Sequence, residues 1–233
     1  MRIGPVRYLA CSALFIVALS PACGSGGARL SEKQAEERLQ SIVLMAPDIG
    51  DGYGQDVARF ISDEDAAKAR PDSEAARRQY AEWGQVLAYN VQYAAPATAT
   101  VFSGDTARVM NTATIFNAEK GANDAFAYVR SLPDTVVANF LVNDANGTRI
   151  SDVQATKDIE FAEKGDDSFA WRLSGKATFA SGETVAFVAD SVFVRAGSVI
   201  GNVTSVALGN APQRAQLEQL VDTFVAHATS ADT

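Results

Sequence analysis

One cysteine, one histidine and a few acidic loops are the side chains of this sequence whose chemistry could reach beyond packing. Cys23 follows the apolar run from Tyr8 to Leu19 and the small residues Ser20-Pro21-Ala22, and it opens the stretch Cys23-Gly-Ser-Gly-Gly. A short apolar run followed by small residues marks a removable leader. Cys11 lies inside the leader, so the mature chain keeps Cys23 alone and forms no internal disulfide. His227 is the only histidine. Any Ser-His-Asp or Cys-His relay would have to use it, and neither a Gly-x-Ser-x-Gly elbow nor a Gly-x-x-x-x-Gly-Lys phosphate loop accompanies it. The chain therefore reads as a non-enzyme. One histidine and one cysteine cannot make a zinc site. Asp48, Asp51 and Asp56 in a glycine-bearing loop, and Asn143, Asp144 and Asn146 before Gly147, lack the alternate ligands and closing glutamate of a calcium loop, so they read as solvated turns and no cofactor is expected.

Asp190 and a set of aromatics carry the binding chemistry. Asp190 interrupts Ala186, Val188, Val192 and Val194 on one strand face, so its carboxylate either stands in solvent at an edge or points inward, where it needs a partner such as Arg172 or Arg149. Tyr89, Tyr93, Phe116, Trp171, Phe187 and Phe193 pack as core or line a pocket between sheet and helices. In the second case Ser191, Asn202 and Thr204 are the polar handles, and Tyr89, Trp171 and Asp190 join them as the candidate ligand-binding set for an apolar molecule.

The elements that must position these residues follow from periodicity. Ser31 and Gln34 form a capping box, Leu30 and Ala35 a staple, and Ala35, Leu39, Ile42 and Val43 one helical stripe that Pro47 closes. Asp48 to Gly54 reads as a loop with three glycines free to take positive φ. Asp63, Glu64 and Asp65 begin a helix, and a further helix spans 72–83. Leu87, Tyr89, Val91 and Tyr93 alternate with Ala88, Asn90 and Gln92 as a half-buried strand; a strand over 108–116 and a helix over 119–130 follow. Strands over 168–179, 183–195 and 198–208, joined at Ala180-Ser181-Gly182 and Ala196-Gly197, form an antiparallel meander. A turn at Ala196-Gly197 sets Phe193 against Ile200, Ser191 against Asn202 and Ala189 against Thr204. Apolar residues on both faces imply helices on both sides. A last helix over 212–228 starts with Pro212 and carries Leu217, Leu220, Val221 and Phe224 on one face. The fold class is α+β, an antiparallel sheet flanked by helices.

Residues 1–23 resemble a bacterial lipoprotein signal: Arg2 and Arg7 without an acid, twelve apolar residues, then Leu19-Ser20-Pro21-Ala22-Cys23. Twelve helical residues span about 18 Å, against about 30 Å for a bilayer core. The run is a leader and not an anchor helix. The resemblance implies diacylation of Cys23; the same residues also permit cleavage after Ala22 with a free thiol. Loss of Arg2 and Arg7 moves the formal charge from −8 to −10, which opposes nucleic acid and anionic head groups. The organisation expected is a signal peptide over 1–22, a lipidated Cys23 with a Gly/Ser-rich tether over 23–29, and a single α+β domain over 30–233.

The segments FNAEKGANDAFAYV, KGDDSFAWR and VFVRAGSVIGNV, in that order before a terminal amphipathic helix, resemble the extracytoplasmic sensor-type lipoprotein domains of actinobacteria, a group similar to the PsbP-like sandwich. In that pattern Gly165-Asp166-Asp167-Ser168 leads into a strand with Phe169 and Trp171, and Arg195-Ala196-Gly197 precedes a strand with a central Asn202. The resemblance implies a membrane-attached, extracytoplasmic sensor or carrier that binds a lipid or small apolar molecule. A protein-interaction or assembly factor of the cell envelope is the alternative. The expected partners are the membrane through the anchor, the ligand or an envelope protein; nucleic acid is not among them.

Overall fold

The computed structural model describes residues 30–70, 72–95, 106–139 and 149–231. The leader, Cys23, the tether and the Asn143, Asp144 and Asn146 loop lie outside the described residues. Helix α1, Glu32–Ile42, starts on the capping box anticipated from its sequence: the Gln34 amide donates to Ser31 Oγ at 3.3 Å, and the Ser31 amide donates to Gln34 Oε1 at 3.0 Å. Ala35, Leu39 and Ile42 are buried on its inner stripe. Pro47 does not close this helix. The chain leaves it at Val43, and Pro47 sits in the first turn of a short helix, α2 (Ala46–Ile49), where a missing amide hydrogen is no loss.

Part of the expected glycine loop is thus helical, and Gly54 opens strand β1, Gly54–Ile61, whose exposed residues show no alternation for a sequence pattern to report. Gly50 and Gly52 take positive φ, at 110° and 92°; Gly54 does not. Helix α3, Asp63–Lys68, begins on Ser62, whose hydroxyl accepts from the Asp65 amide, with the three acids in its first turn. Helix α4, Ser73–Trp83, ends on Gly84 in the left-handed region. Strands β2 (Gln85–Ala94) and β3 (Thr106–Phe116) follow, then helix α5, Glu119–Ser131, the short helix α6, Asp134–Asn139, and strand β4, Arg149–Lys157. Strands β5 (Asp167–Thr178), β6 (Thr184–Ala196) and β7 (Val199–Leu208) form the meander, and helix α7, Arg214–Ser230, closes the order. Pro212 lies just before α7 and not in its first turn.

All seven strands make one antiparallel sheet in the order β1-β2-β3-β7-β6-β5-β4. The β6–β7 turn is Gly197-Ser198, since Ala196 pairs with Val199. Phe193 therefore faces Asn202 and Ser191 faces Thr204, two residues from the register that a turn at Ala196-Gly197 would give. A two-residue shift keeps every side chain on its expected face, because strand side chains alternate with period two.

Helices cover both faces. On one side, α1 and α7 bury Leu39, Ile42, Leu217, Leu220 and Phe224 against Val91, Val109, Val192 and Val203. On the other, α4 and α5 bring Tyr80, Trp83 and Phe126 to Phe169, Trp171 and Ile200. Two glycines allow the closest approaches. A Cβ on Gly201 would stand 2.1 Å from the Phe224 ring, and one on Gly121 only 1.7 Å from the Trp83 carbonyl oxygen.

Candidate functional site

The end of α1 and the start of α2 stand over the beginning of β1 and the middle of β2, and between them lies an open cleft of about 190 Å³. Its position follows from how Leu44 is held. The Leu44 amide donates to Asn111 Oδ1 at 2.9 Å, and the Leu44 carbonyl accepts from the Tyr93 hydroxyl at 3.0 Å. Asn111 is fully buried and is itself fixed, donating through Nδ2 to the Asn202 carbonyl at 3.1 Å. Both polar backbone groups of Leu44 are thus committed to the sheet, and the extended residues Val43 to Met45 form one wall. The Met45 amide donates to Asp48 Oδ2 at 2.7 Å, which starts α2 and turns the Met45 side chain outward.

Met45 is 50% exposed, the exposed large hydrophobic residue among those described. Across the cleft, Tyr89 stacks on Phe60 of β1 with ring centroids 4.4 Å apart. Gln40 of α1 and Gln55 of β1 supply amides, Gln55 standing at a β-bulge between Gln55 and Val57. Burial, then the neighbouring Tyr89 and Asp48, push the Tyr93 phenol above its ordinary range, so it stays a neutral donor to Leu44.

Of the six residues singled out from sequence, Tyr89 lines this cleft. Trp171, Ser191, Asn202 and Thr204 lie together on the opposite face of the sheet, Trp171 pairing with Ser191 and Ser191 with Thr204 across the ladder. Three of them close a ring. Asn202 Nδ2 donates to Ser191 Oγ at 2.7 Å, Ser191 and Thr204 share a bond of 2.7 Å, and Thr204 Oγ1 donates to Asn202 Oδ1 at 3.1 Å. With Ser191 donating to Thr204, both hydroxyl protons are used inside the ring. Trp171 is buried under Lys157, whose ammonium lies 5.9 Å from its ring and donates to the Arg130 and Leu132 carbonyls at the end of α5. Asp190 is on the cleft side of the sheet but away from the cleft, gripped by Arg172 Nε and Nη2 at 2.6 Å each. That pairing chooses Arg172 over Arg149 and raises the guanidinium above its ordinary range.

A polar strip escaped the sequence reading. Asp56 accepts from Arg108 Nη2 at 2.8 Å, Arg108 Nη1 donates to Gln92 Oε1 at 2.8 Å, Gln92 Nε2 donates to Asn90 Oδ1 at 3.1 Å, and Asn90 Nδ2 donates to Thr112 Oγ1 at 2.7 Å. Thr112 pairs with Asn202, so the strip continues into the Ser191 ring. The alternation of Asn90 and Gln92 with Tyr89, Val91 and Tyr93 suggested a half-buried strand, yet both polar residues are buried. Polar side chains at every second position were the signal; that they bond to one another could only come from the register.

Elsewhere, Asp48 and Asp56 are engaged with protein donors, and among the described residues no group of three or more His, Cys, Asp or Glu could hold a metal ion. His227 is half-buried on α7, its Nδ1 enclosed without a hydrogen-bond partner among the described residues. Burial raises the Asp63 carboxyl to about 6, against a bond from Gln85 Nε2 at 2.7 Å that acts in the other direction. Among the described residues no helix is long and apolar enough to cross a membrane.

No protein-family model matches the chain, and no curated protein matches it. Among solved structures the chain is similar to the extracellular domain of PknH from Mycobacterium tuberculosis, with a TM-score of 0.49 and 12% sequence identity over 88% of this chain and 100% of that one.

Proposed function

We propose that this chain is a non-catalytic module held outside the cytoplasmic membrane by a lipid on Cys23, and that it binds a small apolar molecule or a lipid segment in the cleft between α1–α2 and β1–β2. The observation that carries the reading is the cleft itself, with Tyr89 on its wall and the half-exposed Met45 at its lip. The cleft, about 190 Å³ and open to solvent, leaves room for a ring or a short alkyl end laid against Tyr89 and Met45. The address rests on the leader and on Cys23, with processing over 1–22 and a tether over 23–29 ahead of the domain. The sensor-type sequence words between Phe116 and Val203 support the same assignment. A single half-buried histidine, with Asp48 and Asp56 engaged by protein donors, supports the non-catalytic reading.

Native mass spectrometry of the gently purified protein, before and after organic extraction, tests the ligand. An extractable mass above the chain mass is expected, and Tyr89→Ala should diminish it. A bare chain mass would favour the second reading, an envelope protein-interaction factor, for which the exposed Met45 beside Tyr89 is the anchor. Radiolabelled palmitate incorporated by the parent and absent from Cys23→Ser tests the anchor separately.

A further inference from the structure

Leu30 shows which end of the domain lies nearest Cys23. The Leu30 amide donates to Asn117 Oδ1 at 3.2 Å, the Asn117 amide donates to the Gly84 carbonyl at 2.8 Å, and the Phe116 amide donates to the Ser198 carbonyl at 2.9 Å. Leu30, Gly84, Asn117 and the Gly197-Ser198 turn thus share one end of the sheet, where β3 finishes and β7 begins. The other end of β3 is tied to different partners. There the Thr106 carbonyl accepts from the Tyr53 hydroxyl at 2.6 Å, and Thr106 Oγ1 donates to Gln216 Oε1 at 2.9 Å.

Two lengths decide how a domain held through Cys23 can stand on a bilayer. Seven residue steps separate Cys23 from Leu30, at most about 25 Å of fully extended chain. Strand β3 runs from Thr106 to Phe116, about 34 Å from first to last residue. A domain standing on its Thr106 end would lift Leu30 about 34 Å above the head groups, beyond what the tether spans. The Leu30 end meets no such limit. Around Leu30 and Asn117 the rim exposes Glu32, Lys33, Glu119 and Lys120, two acids against two bases. Met45, the exposed large hydrophobic residue among those described, is not on it. These residues form neither an apolar wedge nor a basic cluster, so they neither insert into lipid nor hold anionic head groups. The formal charge, −10 once the leader is removed, keeps the broad sides of the domain off anionic head groups.

We infer that the domain stands on the bilayer with its Leu30 and Asn117 end toward the head groups and its Tyr53 and Thr106 end outward, held so by the length of the tether. This rests on the lipid at Cys23 in the function proposed above. The cleft belongs to the outward part, because Tyr93 on its wall pairs with Val109, seven residues along β3 from Phe116 and about 24 Å from the rim. A lipid that stays in the bilayer does not reach it, so an occupant comes from the aqueous side.

The mature chain keeps no cysteine but Cys23, so one added cysteine gives one labelling site once Cys23 is acylated. Lipidated protein carrying Lys120→Cys or Asp51→Cys, both at exposed positions, is labelled with a donor dye and reconstituted on vesicles of phosphatidylcholine and phosphatidylglycerol whose head groups carry an acceptor. Strong energy transfer from residue 120, and loss of most of it from residue 51, is expected. Ten Gly/Ser residues inserted after Gly26, which add up to about 35 Å, should shrink the contrast. Equal transfer from both positions, or more from residue 51, would overturn the orientation and leave the anchor standing. A contrast unchanged by the insertion would overturn the tether as its cause. Protein that fails to float with the vesicles, or a Cys23→Ser chain that floats as well as the parent, would overturn the anchor at Cys23 and this inference with it.

Discussion

Arg172 holds Asp190 across the β5–β6 ladder with two hydrogen bonds of 2.6 Å, and the two partners live in different surroundings: the arginine side chain is 42% exposed and the aspartate side chain 5%. The geometry is bidentate and charge-assisted. Removing either partner therefore has an unequal effect. Arg172→Ala strands a buried carboxylate and should destabilise by about 3–5 kcal/mol. Asp190→Ala leaves an arginine that can turn to water, and should cost about 1–3 kcal/mol. Urea unfolding of both variants checks the order; parent-like stability for Asp190→Ala would refute the pairing as a stabilising contact.

Asp63 gives the domain a pH dependence of definite sign. Its folded carboxyl titrates at about 6, against 3.8 for an ordinary aspartate, so the folded state binds the proton more tightly than the unfolded chain. The stability from this group is full below about pH 4 and is lost as pH rises through about 6. Asp63→Asn should remove that slope, matching the parent at pH 4 and exceeding it at pH 7. Thermal melts across this window decide it; parallel curves for the two proteins would count against a half-buried Asp63 that holds its proton up to about pH 6.

Gly201 and Gly121 should respond differently to a single added methyl group. At Gly201 the obstacle is the Phe224 ring of α7, a side chain that can shift, so Gly201→Ala should cost about 1–3 kcal/mol. At Gly121 the obstacle is the Trp83 carbonyl, backbone of the neighbouring helix end, so the loss should be larger and should part α5 from α4. Calorimetric melting temperatures rank the two.

Asn111 connects the sheet interior to the cleft wall, since it bonds the Leu44 amide from below. Asn111→Ala leaves that amide without a buried partner, at a cost of about 1–3 kcal/mol. It should also loosen Val43 to Met45. Faster hydrogen exchange at Leu44 and Met45 with little change in α7 is the expected signature.

The elements with strong local signals were legible from sequence, and the contacts that cross between elements were not. The α1 capping box, the apolar stripe of α7 and the β5–β6–β7 meander each follow from residues within one segment. Strand β1 was hidden because its residues are mostly exposed, and β4 because Asp152 takes a positive φ of 56° and breaks its alternation. Arg172 was foreseen as one of two partners for Asp190; only the ladder register chooses between them. The candidate site divided for the same reason. Tyr89 is odd-numbered on β2 and faces α1, whereas Ser191, Asn202 and Thr204 face α5, and nothing in the sequence states how β2 is turned relative to β6 and β7.

The strand order carries a consequence for the birth of the protein. Strands β1, β2 and β3 leave the ribosome first, but β3 finds its second neighbour only in β7, the last strand of the chain. Until then the N-terminal half presents an open hydrogen-bonding edge, and α1 has no α7 to share the core with. Closing so long a loop late is slow. Folding only once the C-terminus has emerged suits such a topology better than stepwise folding during synthesis, and a chain cut before β7 would be left as aggregation-prone half-sheet.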